Sequence, residues 1–365
     1  MKQLVLFFAF FLITIPLINS QEKGDTSQFR GKIYLSIKNI NFVWNDEYFH
    51  PIIEGYTLIG SLIQPSIVYA PTDKLKLKIG THLLSYAGEN KISQAKLILS
   101  TTYNIFESTS ITVGNLNGSD KHRIFDPQYN FERLYTSFSE NGFQVLTETE
   151  HIFSDNWLSW EKFIFPGDTI REEFTTGESF RYTSGKIGNS FAVTLPVQVQ
   201  FKHYGGQISK YKGGVETYFN LATGLRLDYD IAHKRLGIAG IEYLQFINKE
   251  LSNKGSTGVT KGHASWLRFH YNYKVITFGS YYWSGHNYYA PDGNFVYSSV
   301  SSRRANTVIP DRKIWTNCIY FKANPVAGLE AFIGFEAFYD LNLKRLDTAF
   351  GIHLRFEKLI GLFTK

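Results

Sequence analysis

The sequence contains little cysteine, few long apolar runs and little helical periodicity. Its only cysteine, Cys318, cannot form a disulfide within the chain, so an oxidising compartment is permitted but the fold does not depend on one. After the first twenty residues, no apolar run approaches the roughly 18 residues that a membrane-spanning helix requires. If the mature chain crosses a membrane, we expect it to cross as strands.

Charge of one sign and paired metal ligands are also scarce. The 38 basic and 32 acidic residues give a formal net charge of +6, which is too mild an excess to indicate a nucleic-acid partner. The 10 histidines form no His-x-His or His-x-x-His pair, so neither a metal site nor a cofactor is expected.

Signals for catalysis are thin as well. A serine hydrolase needs a serine beside an oriented histidine, and Ser284-Gly285-His286 is the candidate that the sequence offers. Neighbours in sequence do not easily reach that geometry, and no carboxylate at a recognisable spacing orients the histidine. The sequence-based expectation is that the protein is not an enzyme.

The N-terminus has the features of a secretory signal peptide. Lys2 precedes an apolar stretch from Leu4 to Leu17, and Ser20 supplies a small residue before Gln21. The apolar stretch is too short for a spanning helix. We therefore predict that residues 1–20 direct export through the inner membrane and that residues 21–365 form a single domain.

Aromatic residues and alternating segments are abundant. The chain has 23 Tyr, 31 Phe and 6 Trp, an excess that suits the aromatic girdles of an outer-membrane barrel. Segments of about ten residues with a period of two recur along the chain, separated by turn residues. In the segment Phe191 to Phe201, Pro196 removes a ladder hydrogen bond, which is an objection to a simple closed barrel.

The last convincing strand, Asp347 to Phe356, shows the alternation most strictly. Its apolar face would lie on lipid and its polar face would lie in the lumen of a barrel. The apolar face comprises Phe350, Ile352, Leu354 and Phe356, and the other face comprises Ala349, Gly351, His353 and Arg355.

The order of short turns and longer connections predicts the strand number. Short turns, one of them expected at Asp155, alternate with longer loops only if Ile170 to Tyr182 is a strand, and bacterial barrels have an even number of strands. The fold class predicted is all-β, a transmembrane antiparallel up-and-down barrel of about 16 strands, with about 14 as the alternative. A barrel of this size encloses water. Its expected partners are outer-membrane lipid and the barrel-assembly machinery.

Charged residues on the predicted inward faces are candidates for solute selectivity. Opposed charges across a narrow pore would orient dipolar solutes, whereas the alternative is that the same residues are only a solvated lining. The candidates on one wall are Lys76, Lys78 and Lys96, and those on the other are Glu330, Glu336 and Asp340, beside His353 and Arg355.

Two further groups could narrow the pore or bind a ligand. One is an inward aromatic and polar group that suits sugar rings or carboxylates, or packing against an inserted loop. Its members are Arg226, Trp266, Arg268 and His270. The other is the segment His286 to Val308, which either folds inward as a constriction loop or remains a mobile surface loop. Its candidate residues are Tyr288, Tyr289, Asp292, Arg303 and Arg304.

Four short blocks carry a resemblance to a known group. They are Gly114 to Gly118, His122 to Pro127, Glu140 to Gln144 and Trp157 to Glu161, and the likeness that they carry extends over about a fifth of the chain. These blocks resemble porin-like outer-membrane proteins of Bacteroidota. The group has no assigned substrate, so the resemblance implies location and architecture rather than a reaction.

The last strand is similar to the barrel-assembly signal. That signal reads polar-x-Gly-x-x-aromatic-x-aromatic, and Ala349, Gly351, Leu354 and Phe356 match it in part. Residues 357–365 follow, so Phe363 is an alternative terminal aromatic residue.

From these features we predict an outer-membrane channel for passive diffusion of small hydrophilic solutes. The alternative is a structural or binding barrel whose lumen is plugged and whose loops engage a partner, and an outer-membrane hydrolase comes third. The sequence leaves open whether the barrel forms a homo-oligomer.

Overall fold

The computed structural model describes residues 30–188, 190–232, 235–252 and 255–363, so the predicted signal peptide lies outside the described residues. Sixteen antiparallel strands form a closed barrel, in which β16 returns to pair with β1. The prediction of 16 strands is therefore confirmed, and the alternative of 14 is wrong. The strands are β1 (Lys32–Glu47), β2 (Thr57–Ala70), β3 (Leu75–Tyr86), β4 (Gln94–Phe106), β5 (Thr109–Asn115), β6 (Asn141–Glu148), β7 (Ile152–Lys162), β8 (Glu172–Thr183), β9 (Phe191–Gly205), β10 (Glu216–Asp230), β11 (Ile238–Glu250), β12 (Lys261–Tyr273), β13 (Ile276–His286), β14 (Asp311–Val326), β15 (Leu329–Asp340) and β16 (Arg345–Phe363).

Helical structure is confined to three short pieces in the described ranges. These are a 3-10 turn at Ser119–Lys121, the single-turn helix α1 at Arg133–Thr136, and a 3-10 turn at Phe295–Tyr297. Within the same ranges, no helix is long and apolar enough to cross a membrane.

The period-two alternation places side chains on the two surfaces of the wall. On β16, Phe350, Ile352 and Leu354 are 46%, 42% and 44% exposed, whereas Ala349 is fully buried. Exposed apolar side chains that recur in this way around a closed barrel form a lipid-facing band. The inward face of β16 carries His353 and Arg355, both buried in the lumen.

Three local expectations need correction. β16 does not end at Phe356 but continues to Phe363, and its last residues pair with Ile33 to Lys38 of β1. Pro196 interrupts the β9–β10 ladder only locally, because the register on both sides of it is the same and its carbonyl accepts from Thr223. The short turn expected at Asp155 lies instead at residues 149–151, and Asp155 lies within β7.

The two ends of the barrel differ in their connections. The chain enters at Lys32 and leaves at Phe363 on the same end, which also carries the short turns. The longest connections, residues 116–140 and 287–310, lie at the opposite end. Because bacterial barrels have short periplasmic turns and longer outer loops, we assign the end with the termini to the periplasm.

The two longest connections fold inward and pack against the wall inside the lumen, and the first reaches the residues beside the periplasmic turn between β6 and β7, since Arg123 pairs with Glu148. Phe42 of β1 stacks on Tyr135 of the first connection with ring centroids 4.7 Å apart. The ring centroid of Trp283 of β13 lies 5.0 Å from that of Tyr288 in the second connection. The two connections also bond to each other, since Asn130 N donates to Asp292 O at 2.7 Å. We call residues 116–140 and 287–310 together the plug. The hydrophobic core of the protein therefore lies inside the barrel, between the plug and the wall.

The continuation of β16 supports a prediction about assembly. Truncation after Phe356 removes the pairs that close the periplasmic end of the barrel against β1. We expect the truncated chain to lose heat-modifiable migration on gels, because an open sheet edge is not tolerated in lipid. Replacement of Leu359 by alanine keeps the ladder and is the matched control. Normal heat-modifiability of the truncated chain would contradict the closure seen here.

Candidate functional site on the lipid-facing surface

Two rows of polar side chains run across the lipid-facing surface at the outer ends of β11 to β14. In one row, Gln245 pairs with Ser265, Ser265 with Ser284, and Ser284 with Lys313. In the row above it, His263 pairs with His286, and His286 pairs with Asp311. Directly opposed residues on neighbouring strands bring their Cβ atoms to within about 5 Å of one another. The barrel register thus assembles two serines, a glutamine, two histidines, a carboxylate and a lysine on one outward patch, which we call the outer polar patch.

His286 is held in one orientation by its neighbours. Its Nδ1 lies 2.7 Å from Asp311 Oδ1, and its Nε2 lies 3.1 Å from Asn287 Nδ2. A carboxylate can only accept at Nδ1, and an amide nitrogen can only donate to Nε2. The bonding pattern therefore assigns the neutral tautomer with the proton on Nδ1 and a basic lone pair on Nε2.

Ser284 lies on the same face of β13 as His286, two residues earlier. Their Cα atoms are about 7 Å apart along an extended strand, within reach of a serine hydroxyl and an imidazole that rotate toward each other. The Ser284 side chain is half-buried and makes no hydrogen bond to the residues that the structure describes. By contrast, Ser265 Oγ accepts from Gln245 Nε2 at 2.8 Å. Ser284 is thus the serine whose hydroxyl is available.

Positive charge flanks the serine on the other side. Lys313 is exposed, lies directly across the β13–β14 ladder from Ser284, and forms no ion pair among the described residues. His263 contributes a second imidazole, with its ring centroid 5.8 Å from that of His286. An ammonium group beside a nucleophile can bind an anionic headgroup or stabilise an oxyanion.

The depth of the outer polar patch matches the membrane interface. The next outward row toward the periplasm pairs Tyr243 with Leu267, Leu267 with Tyr282, and Tyr282 with Trp315. Tyr and Trp collect where the apolar core of a membrane meets the headgroups. The outer polar patch lies above this aromatic row, where lipid-facing charges cost only about 0–1 kcal/mol. It therefore faces the headgroup region of the outer leaflet.

The acidic residues expected to line a pore are paired instead. Glu330 accepts from Lys322 at 2.8 Å, and Asp340 accepts from Arg312 at 2.9 Å. Glu336 accepts from Tyr320. The structure turns all three inward, but none of them faces an open pore.

The neighbouring basic residues of β16 contact the plug. Arg355 pairs with Asp120 at 2.5 Å, and Tyr135 O–H lies 2.8 Å from His353 Nδ1. These residues anchor the plug to the wall and are not available to a passing solute.

The prediction that basic and acidic side chains oppose each other across the pore is also wrong. Lys76 and Lys78 lie on β3 and Lys96 lies on β4, which are three to five strands from β15 and β16 around the ring of sixteen. The two groups are therefore a quarter of a turn apart and do not oppose each other. Lys96 Nζ in addition donates to Ser139 O of the plug at 3.2 Å.

The predicted constriction loop divides into two parts. Tyr288 and Asp292 are 1% and 8% exposed within the plug, and Tyr289 packs against Tyr218 with centroids 5.2 Å apart. Arg303 and Arg304 are exposed at the outer rim, so their assignment to a constriction is wrong. The chain turns outward again before them, after the 3-10 turn at Phe295–Tyr297.

The inward aromatic and polar group does converge. Arg226, Trp266 and Arg268 line one cavity of about 500 Å³ in the periplasmic half of the lumen, and Phe125 of the plug forms part of its roof. His270 lies beside it, with its Nε2 2.8 Å from Asp228 Oδ1.

Sequence reasoning missed the buried anchor of the plug. His122 is fully buried, with Nε2 2.8 Å from Glu140 and Nδ1 2.8 Å from Asp155. Burial by itself lowers the pKa of His122, but the charges of Glu140 and Asp155 outweigh it and raise that pKa to about 10. The imidazolium is stacked on Trp157 with ring centroids 4.2 Å apart. Glu140 lies at the far end of the same connection and Asp155 and Trp157 lie on β7, so no recognisable sequence spacing indicates these partners.

The structure is that of an outer-membrane β-barrel of sixteen strands, channel-like in architecture, with a polar patch on its lipid-facing surface. Solved structures of similar fold include OmpT of Vibrio cholerae, described as an outer membrane protein. Its loop L8 deletion mutant has a TM-score of 0.51 and 12% identity, and the match covers 90% of this chain and 100% of that chain. The in-vitro folded OmpT has a TM-score of 0.50 and 12% identity, with 92% and 99% covered.

Pseudomonas putida OprB is a further structural relative. Its high-pH structure has a TM-score of 0.50 and 7% identity, and the match covers 90% of this chain and 94% of that chain. At such identities the likeness shows the fold alone. A comparison with curated proteins gave no match.

The chain belongs to the Lipid A 3'-O-deacylase-type family, whose match extends over residues 21–365. The expectation that the protein is not an enzyme is therefore wrong, because this family is described by a hydrolytic activity. The outer-membrane barrel implied by the first resemblance is confirmed, whereas the assignment to porin-like proteins of Bacteroidota stays a prediction. The reason given against catalysis also fails, because Asp311 orients His286 from the neighbouring strand.

The buried His122 cluster leads to a prediction about the plug. His122→Gln leaves the buried carboxylate of Asp155 without its cation and Glu140 with only Arg133, 4.0 Å away, at a cost of about 3–5 kcal/mol. We expect amide hydrogen exchange across residues 116–140 to become faster in this variant. The control His151→Gln, at an exposed position, should leave the exchange unchanged. Unchanged exchange in the His122→Gln variant would contradict the role of His122 as the anchor of the plug.

The same cluster predicts a pH dependence. The pKa of His122 in the folded chain is raised from 6.5 to about 10, so its stabilisation is complete below about pH 6.5 and is lost as pH rises through 10. Exchange in residues 116–140, corrected for its intrinsic pH dependence, should rise over this interval. The His122→Gln variant should show no such step.

Proposed function

We propose that the protein hydrolyses an ester-linked acyl chain of lipid A, and that it does so at the outer polar patch. The observation that carries the proposal is the His286–Asp311 pair beside Ser284 on the lipid-facing surface, at headgroup depth. The family description supplies the substrate class, an acyl group on the 3'-oxygen of lipid A. A lipid substrate reaches such a surface by lateral diffusion and does not need to enter the lumen.

The first half of the reaction acylates the serine. Rotation of the Asn287 side chain frees His286 Nε2, which then accepts the proton of the Ser284 hydroxyl as Oγ attacks the ester carbonyl carbon. Asp311 holds the ring by its Nδ1 proton and stabilises the imidazolium that forms. The tetrahedral intermediate collapses, the sugar oxygen leaves with the proton from His286, and the acyl group remains on Ser284.

The second half regenerates the enzyme. His286 Nε2 accepts a proton from water while the water oxygen attacks the acyl carbon on Ser284. Collapse returns the proton to Oγ and releases the fatty acid. Lys313, across the ladder from Ser284, is the cation placed to stabilise the oxyanion or to hold a phosphate of the lipid headgroup.

Lipid A treated with the purified protein in mixed micelles tests this proposal by mass spectrometry. The wild type is expected to release one hydroxyacyl chain. Ser284→Ala and His286→Gln should each lower the rate by at least about 10²-fold, because a positioned general base typically accelerates a reaction by that factor. Asp311→Asn should also lower the rate, because it removes the charge that orients the ring.

The matched control is Ser265→Ala, one strand away in the same row. It should keep the activity, since the Ser265 hydroxyl is already bonded to Gln245. Full activity of the Ser284 variant, or loss confined to the Ser265 variant, would overturn the assignment of the nucleophile.

A second proposal is diffusion of small hydrophilic solutes through the barrel. The cavity of about 500 Å³ beneath the plug favours it, since this part of the lumen already holds space. The plug would have to move for a path to open. Steady conductance in a planar bilayer would support a channel, and a silent, folded barrel would reject it.

A further inference from the structure

We infer that the cavity in the periplasmic half of the lumen is a binding site for a small organic anion, a carboxylate or a phosphate ester. This site is separate from the outer polar patch, because it lies on the inner surface of the wall. Its volume of about 500 Å³ falls in the range of small-molecule pockets, about 300–1,000 Å³.

The cavity gathers arginines from both the wall and the plug. Arg181 of β8, Arg226 of β10 and Arg268 of β12 line it, and Arg123 of the plug lies at its roof. Like charges at such proximity repel each other unless acidic partners or a ligand compensate them.

Three of these four arginines are already compensated by acidic partners. Arg226 donates two hydrogen bonds to Asp228, from Nε at 2.8 Å and from Nη2 at 2.9 Å. Arg268 donates to Glu242 at 2.6 Å. Arg123, at the roof of the cavity, pairs with Glu148 at 2.6 Å.

Arg181 is the exception. It is half-buried and forms neither a hydrogen bond nor an ion pair with any residue in the described part of the chain. The remaining acid of the lining cannot serve it, because Asp126 accepts from Phe131 N at 3.0 Å and from Asn294 Nδ2 at 2.8 Å. A guanidinium presents a planar fork of donors that matches a carboxylate or phosphate, so Arg181 supplies the anion contact.

The wall beside Arg181 is rich in donors and in aromatic surface. The Nε1 of Trp266 and the Nε of Arg268 are buried donors without an acceptor among the described residues. The guanidinium of Arg268 lies 4.3 Å from the Trp266 ring centroid. On the periplasmic side, the hydroxyls of Thr183 and Thr194 lie 3.2 Å apart. An excess of donors over acceptors selects an anion, and the Trp266 and Phe125 side chains suit an organic body.

Calorimetric titration of the folded barrel in detergent tests the inference with two anions, glucose 6-phosphate and benzoate. Glucose and benzyl alcohol are their uncharged counterparts. We expect at least one anion to bind with a Kd in the millimolar range or below and its uncharged counterpart not to bind. Binding of only the phosphate or only the carboxylate would identify which anion the site takes.

Variants locate the binding on Arg181. Arg181→Gln should weaken binding at least tenfold, Arg181→Lys should restore part of it, and Arg303→Gln at the outer rim should leave it unchanged. If Arg181→Gln fails to fold, the wild type still decides the question: bound anion should protect the Arg181 peptide from a dicarbonyl reagent. No binding of either anion, or binding that Arg181→Gln leaves intact in the folded barrel, would overturn the inference.

Discussion

The closed ladder of backbone hydrogen bonds is the constraint on which the rest of this structure depends. In lipid every backbone donor and acceptor of the wall has to be paired within the protein, so the sixteen strands have to close and their register is fixed. A fixed register sends alternate side chains to lipid and to the lumen. It also places residues from neighbouring strands opposite one another, and it is this that brings Asp311 of β14 to His286 of β13. The candidate catalytic pair is therefore a consequence of barrel closure.

The wall separates two chemical environments. Inside, the plug packs an aromatic core against the strands and neutralises inward charges of the wall through pairs such as Arg355–Asp120 and His122–Asp155. Outside, the outer polar patch is compensated only in part, because Ser284 and Lys313 have no partners among the described residues. Polar groups that are satisfied stabilise a fold, whereas polar groups left available at headgroup depth are suited to act on a lipid. The function proposed here follows from that difference.

The fold was largely predictable from the sequence because each strand carries its own signal. The alternation of β16 defined its two faces, and the order of turns gave the strand number. The sequence places the end of β16 at Phe356 because the alternation becomes irregular after that residue, whereas the backbone pairing of β16 with β1 continues. In the sequence, Pro196 is an objection to closure of the barrel because it lacks a backbone N–H. In the structure, the Pro196 carbonyl still accepts a hydrogen bond and the neighbouring residues of β9 keep their register with β10.

The candidate site was only partly predictable. Ser284 and His286 are two residues apart and visible in the sequence, but Asp311 follows the long connection of residues 287–310, so only the register of β13 with β14 reveals the pair. The partners of the predicted lumen residues were likewise not predictable from the sequence. Their inward direction followed from parity, but their partners come from connections whose path carries no periodic signal, as with Asp120 and Tyr135.

The central claim is that chemistry occurs on the lipid-facing surface and proceeds through Ser284. The most direct measurement is covalent labelling of the folded barrel in lipid vesicles with an acyl phosphonate lipid, followed by peptide mass spectrometry. The account predicts that the label is found on Ser284, and that His286→Gln abolishes labelling while the barrel remains folded. Label on a lumen residue, or no label on a folded and active protein, would contradict it.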